Sequence, residues 1–134
     1  MGDLTRDMIL KAEDAKLERV EVPEWGGAVY VRTMTAADRD VWELQTGEHR
    51  QAMVDEHGED APAHVLMQNL RARYVVFCAC DASGAPLFTA DDVEALGAKA
   101  SGPVSRIFQV AKDLNGLGDD DVDELAGKSE AAAG

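Results

Sequence analysis

The chain has 134 residues, a length that suits one domain, because a chain of this size buries roughly 70% of its unfolded surface around a single core. Hydrophobic residues make up 46% and charged residues 29% of the sequence, so we expect a folded body rather than a disordered chain. Twenty-six acidic residues against 13 basic ones give a net charge of -13. The negative electrostatic field of such a chain repels phosphate backbones and anionic lipids, which argues against direct binding to nucleic acids or membranes.

No stretch of the sequence predicts a membrane span or a secretory signal. The longest mostly apolar run, residues 74–79, is far shorter than the ~20 residues that a spanning helix needs. The first ten residues mix charged with apolar side chains and lack the continuous hydrophobic region of a signal peptide. We therefore expect a cytoplasmic protein.

The first 34 residues predict a short helix followed by a β-hairpin. Thr5 can cap a helix that runs from Arg6 to about Ala15. After it, valines alternate with other residues on both sides of the turn sequence PEWGG at residues 23–27, which is the pattern of two strands joined by a tight turn. Trp25 lies at the tip, where a rigid aromatic ring either packs back on the body or is presented to a partner.

The sequence after the hairpin is predicted to be mainly helical. Thr35 opens a helix that we expect to end near Gly47. Residues 48–62 are rich in ionisable side chains and have little apolar periodicity, so they predict a polar connector in which residues 51–55 could form a helical turn. From Ala63 the apolar positions fit a helix that becomes apolar on all sides toward its C-terminal end, which is typical of a central, buried helix. Residues 74–78 also have strand propensity, but their continuity with Leu66 and Leu70 favours the helix.

Three further helices are predicted toward the end of the chain. A capping box at Thr89 begins a helix that stops at Gly97. Ser101 caps a longer helix whose apolar residues have helical spacing and which ends at Asn115. A last short helix is predicted for residues 120–125, among acidic residues.

Together these elements predict an α+β, mostly α-helical fold, in which an N-terminal β-hairpin is followed by a small bundle of helices. We assign residues 1–126 to a single domain. Its N-terminal helix and hairpin occupy residues 5–34, and its helical body occupies residues 35–126. Residues 127–134 are predicted to form a disordered tail.

No motif indicates catalysis, a metal or a cofactor. The sequence contains neither a nucleophile elbow nor a glycine-rich phosphate loop. A zinc site would need more ligands than Cys78 and Cys80, which we expect to be buried, reduced thiols. His49, His57 and His64 do not share a helix face and are expected at the surface. We therefore predict a protein without catalytic residues, metal ligands or cofactors, which is not an enzyme.

Two groups of residues, together with Trp25, are candidates for partner binding. The apolar side of the C-terminal helices is either core or a groove for an apolar helix of another protein, and periodicity does not separate these alternatives. Residues 118–134 contain six acids and one lysine, which either offset a helix dipole or dock a basic partner. The residues in the two groups are Val93, Leu96, Val104, Ile107, Phe108, Leu114, Asp119, Asp120 and Asp121.

Several short motifs follow one another in a distinctive order. After the N-terminal helix come VEVPEWGGAVYVR at residues 20–32, TMTAADR at 33–39, NLRAR at 69–73, CDASGAPLFT at 80–89 and LNGL at 114–117. This succession resembles the tail assembly chaperones of long-tailed, siphovirus-type bacteriophages and prophages. The resemblance covers residues 5–126 and depends on the order of the motifs.

The resemblance implies a non-enzymatic protein that binds the tape measure protein, keeps it soluble and helps to recruit tail tube subunits during tail morphogenesis. It also implies action in the cytoplasm of the bacterial host and absence from the mature virion. The charge suits this role, because a partner of an apolar helical chain must cover apolar surface while its net charge keeps the complex soluble. Self-association of the chain is left open.

An acidic inhibitor of phage origin that mimics nucleic acid is the alternative function. Mimicry predicts carboxylates spread in a long, regular stripe. Here lysines and arginines are interspersed through the body, and the densest acidic cluster lies near the end of the chain. This distribution favours the chaperone.

Overall fold

The computed structural model describes residues 2–117. Within them the chain forms six α-helices and one three-stranded antiparallel sheet, β1-β2-β3. The helices are α1 (Arg6–Lys11), α2 (Ala36–His57), α3 (Ala63–Leu66), α4 (Leu70–Cys78), α5 (Val93–Gly97) and α6 (Ser101–Leu114), and the strands are β1 (Leu17–Val22), β2 (Gly27–Arg32) and β3 (Ala79–Cys80). This architecture confirms the predicted α+β fold class. The helix predicted for residues 120–125 and the tail predicted for residues 127–134 lie outside the described residues.

The predicted β-hairpin is confirmed. β1 and β2 pair in antiparallel register from Leu17 opposite Arg32 to Val22 opposite Gly27. A short 3-10 turn joins the strands, and Gly26 ends it with φ +80°, in the left-handed region that glycine adopts without a steric penalty. Val20, Val22 and Val31 are buried and Val29 is half-buried against them, so one face of the hairpin lies on the core.

The second helix is longer than predicted. α2 continues through Gly47 to His57, so most of the predicted polar connector is helical. A glycine inside a helix costs only about 1 kcal/mol relative to alanine, which the rest of a 22-residue helix can offset. Side chains one turn apart also interact, since Gln51 Nε2 donates to Asp55 Oδ1 at 2.9 Å. The helix ends at Gly58, where φ is +91°.

The helix predicted from Ala63 is interrupted and ends earlier than expected. α3 is a single turn, and Asn69 then takes a left-handed conformation with φ +59° before α4 begins at Leu70. After Cys78 the chain becomes the short strand β3, which pairs with β2. Pairing with a distant strand therefore overrides the local helical pattern. Cys78 and Cys80 are both buried, as predicted, but only Cys78 is helical.

Three of the four predicted helix caps are confirmed. The hydroxyls of Thr5 and Thr35 each accept a hydrogen bond from the backbone N–H three residues later, and Thr89 forms a capping box. The cap predicted at Ser101 is wrong. Ala100 is the extended residue before α6, so Ser101 is already inside the helix.

The core is centred on α4 and on a group of three aromatic rings. The ring of Tyr74 lies 4.9 Å from that of Trp42 and 5.5 Å from that of Phe108, and both contacts are edge-to-face. Trp42 and Tyr74 are fully buried. Because these rings come from α2, α4 and α6, the contacts join the three largest helices.

Replacing Trp42 by alanine tests this core. We expect Trp42→Ala to lower the free energy of unfolding by about 3–5 kcal/mol, because it removes a fully buried ring and leaves a cavity beside Tyr74. Urea denaturation followed by circular dichroism measures the change. Leu44→Ala on the same helix is the control, since Leu44 is 62% exposed and its loss should change the free energy by no more than about 0.5 kcal/mol. Equal effects of the two substitutions would contradict the packing described.

Candidate partner-binding surfaces

α1 has three apolar and three charged residues and buries none of them. It ends at Lys11, before the predicted Ala15, and large apolar side chains project from it and from the residues just before it. We call these four residues the α1 surface, with their exposed fractions in parentheses: Leu4 (68%), Met8 (53%), Ile9 (54%) and Leu10 (66%). A six-residue helix is marginal by itself in water, and several large apolar side chains exposed in one short segment are typical of a protein-binding site.

The α1 surface was not among the residues predicted to bind a partner. Its apolar periodicity is visible in the sequence, but that pattern is the same for a helix that packs on the core. The structure is needed to identify these side chains as exposed, because it shows that no other element of the described chain covers them.

The hairpin tip is fastened to α6 by an ion pair. Arg106 donates two hydrogen bonds to the carboxylate of Glu24, at 2.6 and 2.9 Å, and a third to the backbone carbonyl of Glu21 at 3.3 Å. The hydrogen bonds from Arg106 lower the pKa of Glu24 to about 2. Trp25, the next residue, is 38% exposed, so the tip holds part of an indole ring in solvent. Its role in partner binding stays a prediction.

The other predicted apolar residues lie in the core of the described chain. Four of them are at most 7% exposed: Leu96, Val104, Ile107 and Phe108. Val93 and Leu114 are half-buried against the same cluster. Of the two alternatives left open by periodicity, the structure therefore places these residues in the core, because α5 and α6 pack on α4. Three predicted acidic residues, Asp119, Asp120 and Asp121, lie outside the described residues.

Residues 2–117 contain histidine, cysteine, aspartate and glutamate side chains that could ligate a metal if they came together. No group of three or more histidine, cysteine, aspartate or glutamate residues there is arranged to hold a metal ion. His49 Nε2 lies 3.3 Å from the carbonyl oxygen of Val65, and its pKa is lowered by burial and then by the charge of Arg73. Burial raises the pKa of the Cys78 thiol to about 12, so this thiol is protonated at neutral pH and is a poor nucleophile.

None of the helices in the described part of the chain combines the length and the apolar character needed to cross a bilayer.

The pKa of Glu24 reports whether the hairpin tip is fastened as described. We expect Arg106→Gln to raise this pKa from about 2 toward its ordinary value of 4.5, because the substitution removes the hydrogen bonds that stabilise the carboxylate. A carboxyl-carbon NMR titration measures the pKa. The pair stabilises the fold fully above pH 4.5 and loses its effect as the pH falls through about 2.

Arg19→Gln is the matched control for this titration. It removes the ion pair between Arg19 and Glu21 on β1 and should leave the pKa of Glu24 near 2. A pKa that stays near 2 in Arg106→Gln would show that another group holds the carboxylate.

The sequence and the fold of this chain were compared with those of known proteins, and the matches agree with the fold described above. The sequence matches the family model described as phage tail assembly chaperone over residues 5–130. No protein of curated function matches the sequence. The solved structure of the bacteriophage HK97 tail assembly chaperone is similar to this chain with a TM-score of 0.53 and 22% sequence identity, and the likeness covers 81% of this chain and 94% of that one. At this identity the likeness concerns the fold alone. Because the family match extends over nearly all of the sequence, this chain belongs to the phage tail assembly chaperone family.

Proposed function

We propose that this chaperone binds the tape measure protein through the α1 surface, keeps it soluble and helps to recruit tail tube subunits during tail morphogenesis. The observation that carries the proposal is the α1 surface itself, since Leu4 and three apolar residues of a helix with no buried residue are 53–68% exposed. An apolar helix of a partner can cover such a surface in the way that amphipathic helices cover apolar grooves.

The negative charge of the chain complements this contact. A chain with a net charge of -13 that covers the apolar surface of a partner gives the complex a strong negative field. Complexes that carry such a field repel one another, so the partner stays dispersed. The apolar contact covers the partner's apolar surface, and the negative charge keeps the complexes apart, so both keep the partner in solution.

Trp25 offers a separate contact for a second partner. β1 follows α1 in the chain and ends at the hairpin tip, and a six-residue strand spans about 17 Å, so Trp25 lies well away from the start of β1. We assign Trp25 to the recruitment of tail tube subunits. Its fixed position, held by Glu24 and Arg106, reduces the entropy lost on binding.

The proposal places the chaperone in the cytoplasm of the bacterial host and outside the mature virion. The α1 surface is a small contact that lies outside the core, so a partner can leave it without unfolding the chaperone. Tube subunits that enclose the tape measure protein can therefore displace the chaperone as the tail grows.

Co-expression with the tape measure protein tests the main contact. We expect the unaltered chaperone to keep the tape measure protein in the soluble fraction and to be recovered with it by pull-down. The double substitution Met8→Ser and Ile9→Ser should lower the recovered complex at least about tenfold, because it removes two apolar side chains that are worth roughly 1.5 kcal/mol or more each when buried.

A matched control distinguishes the α1 surface from apolar exposure in general. Val41→Ser and Leu44→Ser change two residues of α2 that are 44% and 62% exposed, and this variant should retain the tape measure protein. Circular dichroism checks that both variants fold. If the two variants behave alike, the contact lies elsewhere, and if the unaltered chaperone leaves the tape measure protein insoluble, the proposed function is wrong.

Tail tube recruitment is tested separately in the same system. Pull-down of the tube subunit by the complex should fall in Trp25→Ser while the tape measure protein stays soluble. Unchanged recovery of the tube subunit would rule out Trp25 as its contact.

A further inference from the structure

A polar groove with a volume of about 920 Å³ lies between α2, the start of α4 and α5. Helix α2 lines it with three residues at four-residue spacing, Gln45, His49 and Met53, which share one helix face. Asn69 and Arg73 line it from the start of α4, and six residues between positions 90 and 98 complete the lining. Neither the α1 surface nor Trp25 borders this groove, so it is separate from the contacts proposed above.

Arg73 is a buried cation that lines the groove. The residue is 7% exposed. Within residues 2–117 no carboxylate pairs with its guanidinium, and no oxygen accepts a hydrogen bond from it. Burial lowers the pKa of Arg73, and no neighbouring negative charge in the described chain offsets this effect. Because a buried charge is costly unless it is paired, the groove presents an arginine that can gain from binding an anion.

Asn69 is held beside Arg73 in the same groove. The two residues begin and end the NLRAR motif, and the backbone N–H of Arg73 donates to the carbonyl oxygen of Asn69 at 2.9 Å. The side-chain amide of Asn69 packs so closely on Gly97 that a Cβ at Gly97 would overlap Asn69 Oδ1. This amide makes no capping hydrogen bond to α4, so its N–H groups can donate to a ligand.

These side chains match the chemistry of a single carboxylate. A guanidinium donates two parallel hydrogen bonds to a carboxylate, and the amide of Asn69 can add another. The exposed residues Asp91 and Glu94 also line the groove. They repel an anion that carries several charges and attract basic groups. The occupant that suits the groove therefore has one carboxylate with basic groups next to it.

We propose that the groove between α2, α4 and α5 binds an acidic side chain of a partner protein, whose carboxylate is held by Arg73 and Asn69 and whose neighbouring basic residues face Asp91 and Glu94. A protein segment supplies both kinds of charge on neighbouring side chains, whereas an inorganic anion supplies only one. The contact does not depend on the α1 surface, so either proposal can fail without the other.

Acetate is the probe for the carboxylate half of the site. An NMR titration follows the pKa of His49, which burial and the charge of Arg73 hold below its ordinary value. We expect acetate to raise this pKa with half-saturation at about 10–100 mM, because a carboxylate on Arg73 offsets the charge that lowers it. Sodium chloride at the same ionic strength is the control and should give a smaller shift that does not saturate.

Two substitutions test the residues assigned to the site. Arg73→Gln should raise the pKa of His49 by itself and abolish the response to acetate. Gly97→Ala should weaken acetate binding about three- to tenfold, because the added methyl group displaces the amide of Asn69. Gly47→Ala is the matched control, since a Cβ at Gly47 meets nothing within 4 Å, and it should leave acetate binding unchanged. Circular dichroism checks that each variant folds.

A capped tripeptide with glutamate between two lysines tests whether a protein segment is the occupant. We expect it to bind at least about tenfold more tightly than acetate, because its lysines can pair with Asp91 and Glu94 while its carboxylate binds Arg73. The same peptide with glutamine in the middle is the control. It should bind at least about tenfold more weakly than the glutamate peptide, although it carries more positive charge.

Three results would overturn the proposal. A chloride response as large as the acetate response would show general screening of Arg73. An acetate response that persists in Arg73→Gln would place the anion elsewhere, and so would equal responses in Gly97→Ala and Gly47→Ala, even where Arg73→Gln does not fold. A glutamate peptide that binds no more tightly than acetate would assign the groove to a small free anion.

Discussion

The packing of Tyr74 between Trp42 and Phe108 is the interaction on which the rest of the molecule depends. Its two edge-to-face contacts join α2 and α6 to α4, so the three largest helices share one apolar centre. Burial raises the pKa of Tyr74, and the ring therefore stays uncharged within this centre over the physiological range. The C-terminal end of α4 then leads directly into β3.

The exposed features of the fold are arranged around this fixed centre. α1 carries its apolar side chains outside the core, and the hairpin tip is fastened to α6 through Glu24 and Arg106. The family and the fold indicate a non-catalytic protein that has protein partners in tail assembly and acts in the host cell. In the function that we propose, the α1 surface and Trp25 can each bind or release a chain without disturbing the core.

Local features of the structure followed from local residues. The hairpin was predictable because its valines alternate and because a PEWGG turn contains a glycine that can take positive φ. The caps at Thr5, Thr35 and Thr89 were predictable because one hydroxyl satisfies a nearby backbone N–H. The error at Ser101 is of the same local kind, since a serine inside the first turn has the same sequence signature as a capping serine.

The sequence by itself determined the fold class, the hairpin, most helix starts and the family, because these depend on residue spacing and on motif order along the chain. Only the tertiary structure decided that α2 passes through Gly47, that the chain breaks at Asn69 and that β3 joins the sheet, since these depend on packing and pairing with distant segments. It also decided that Ile107 is core while Ile9 is exposed. The physical reason is that helical periodicity identifies an apolar face, whereas what covers that face is set by elements far away in the chain.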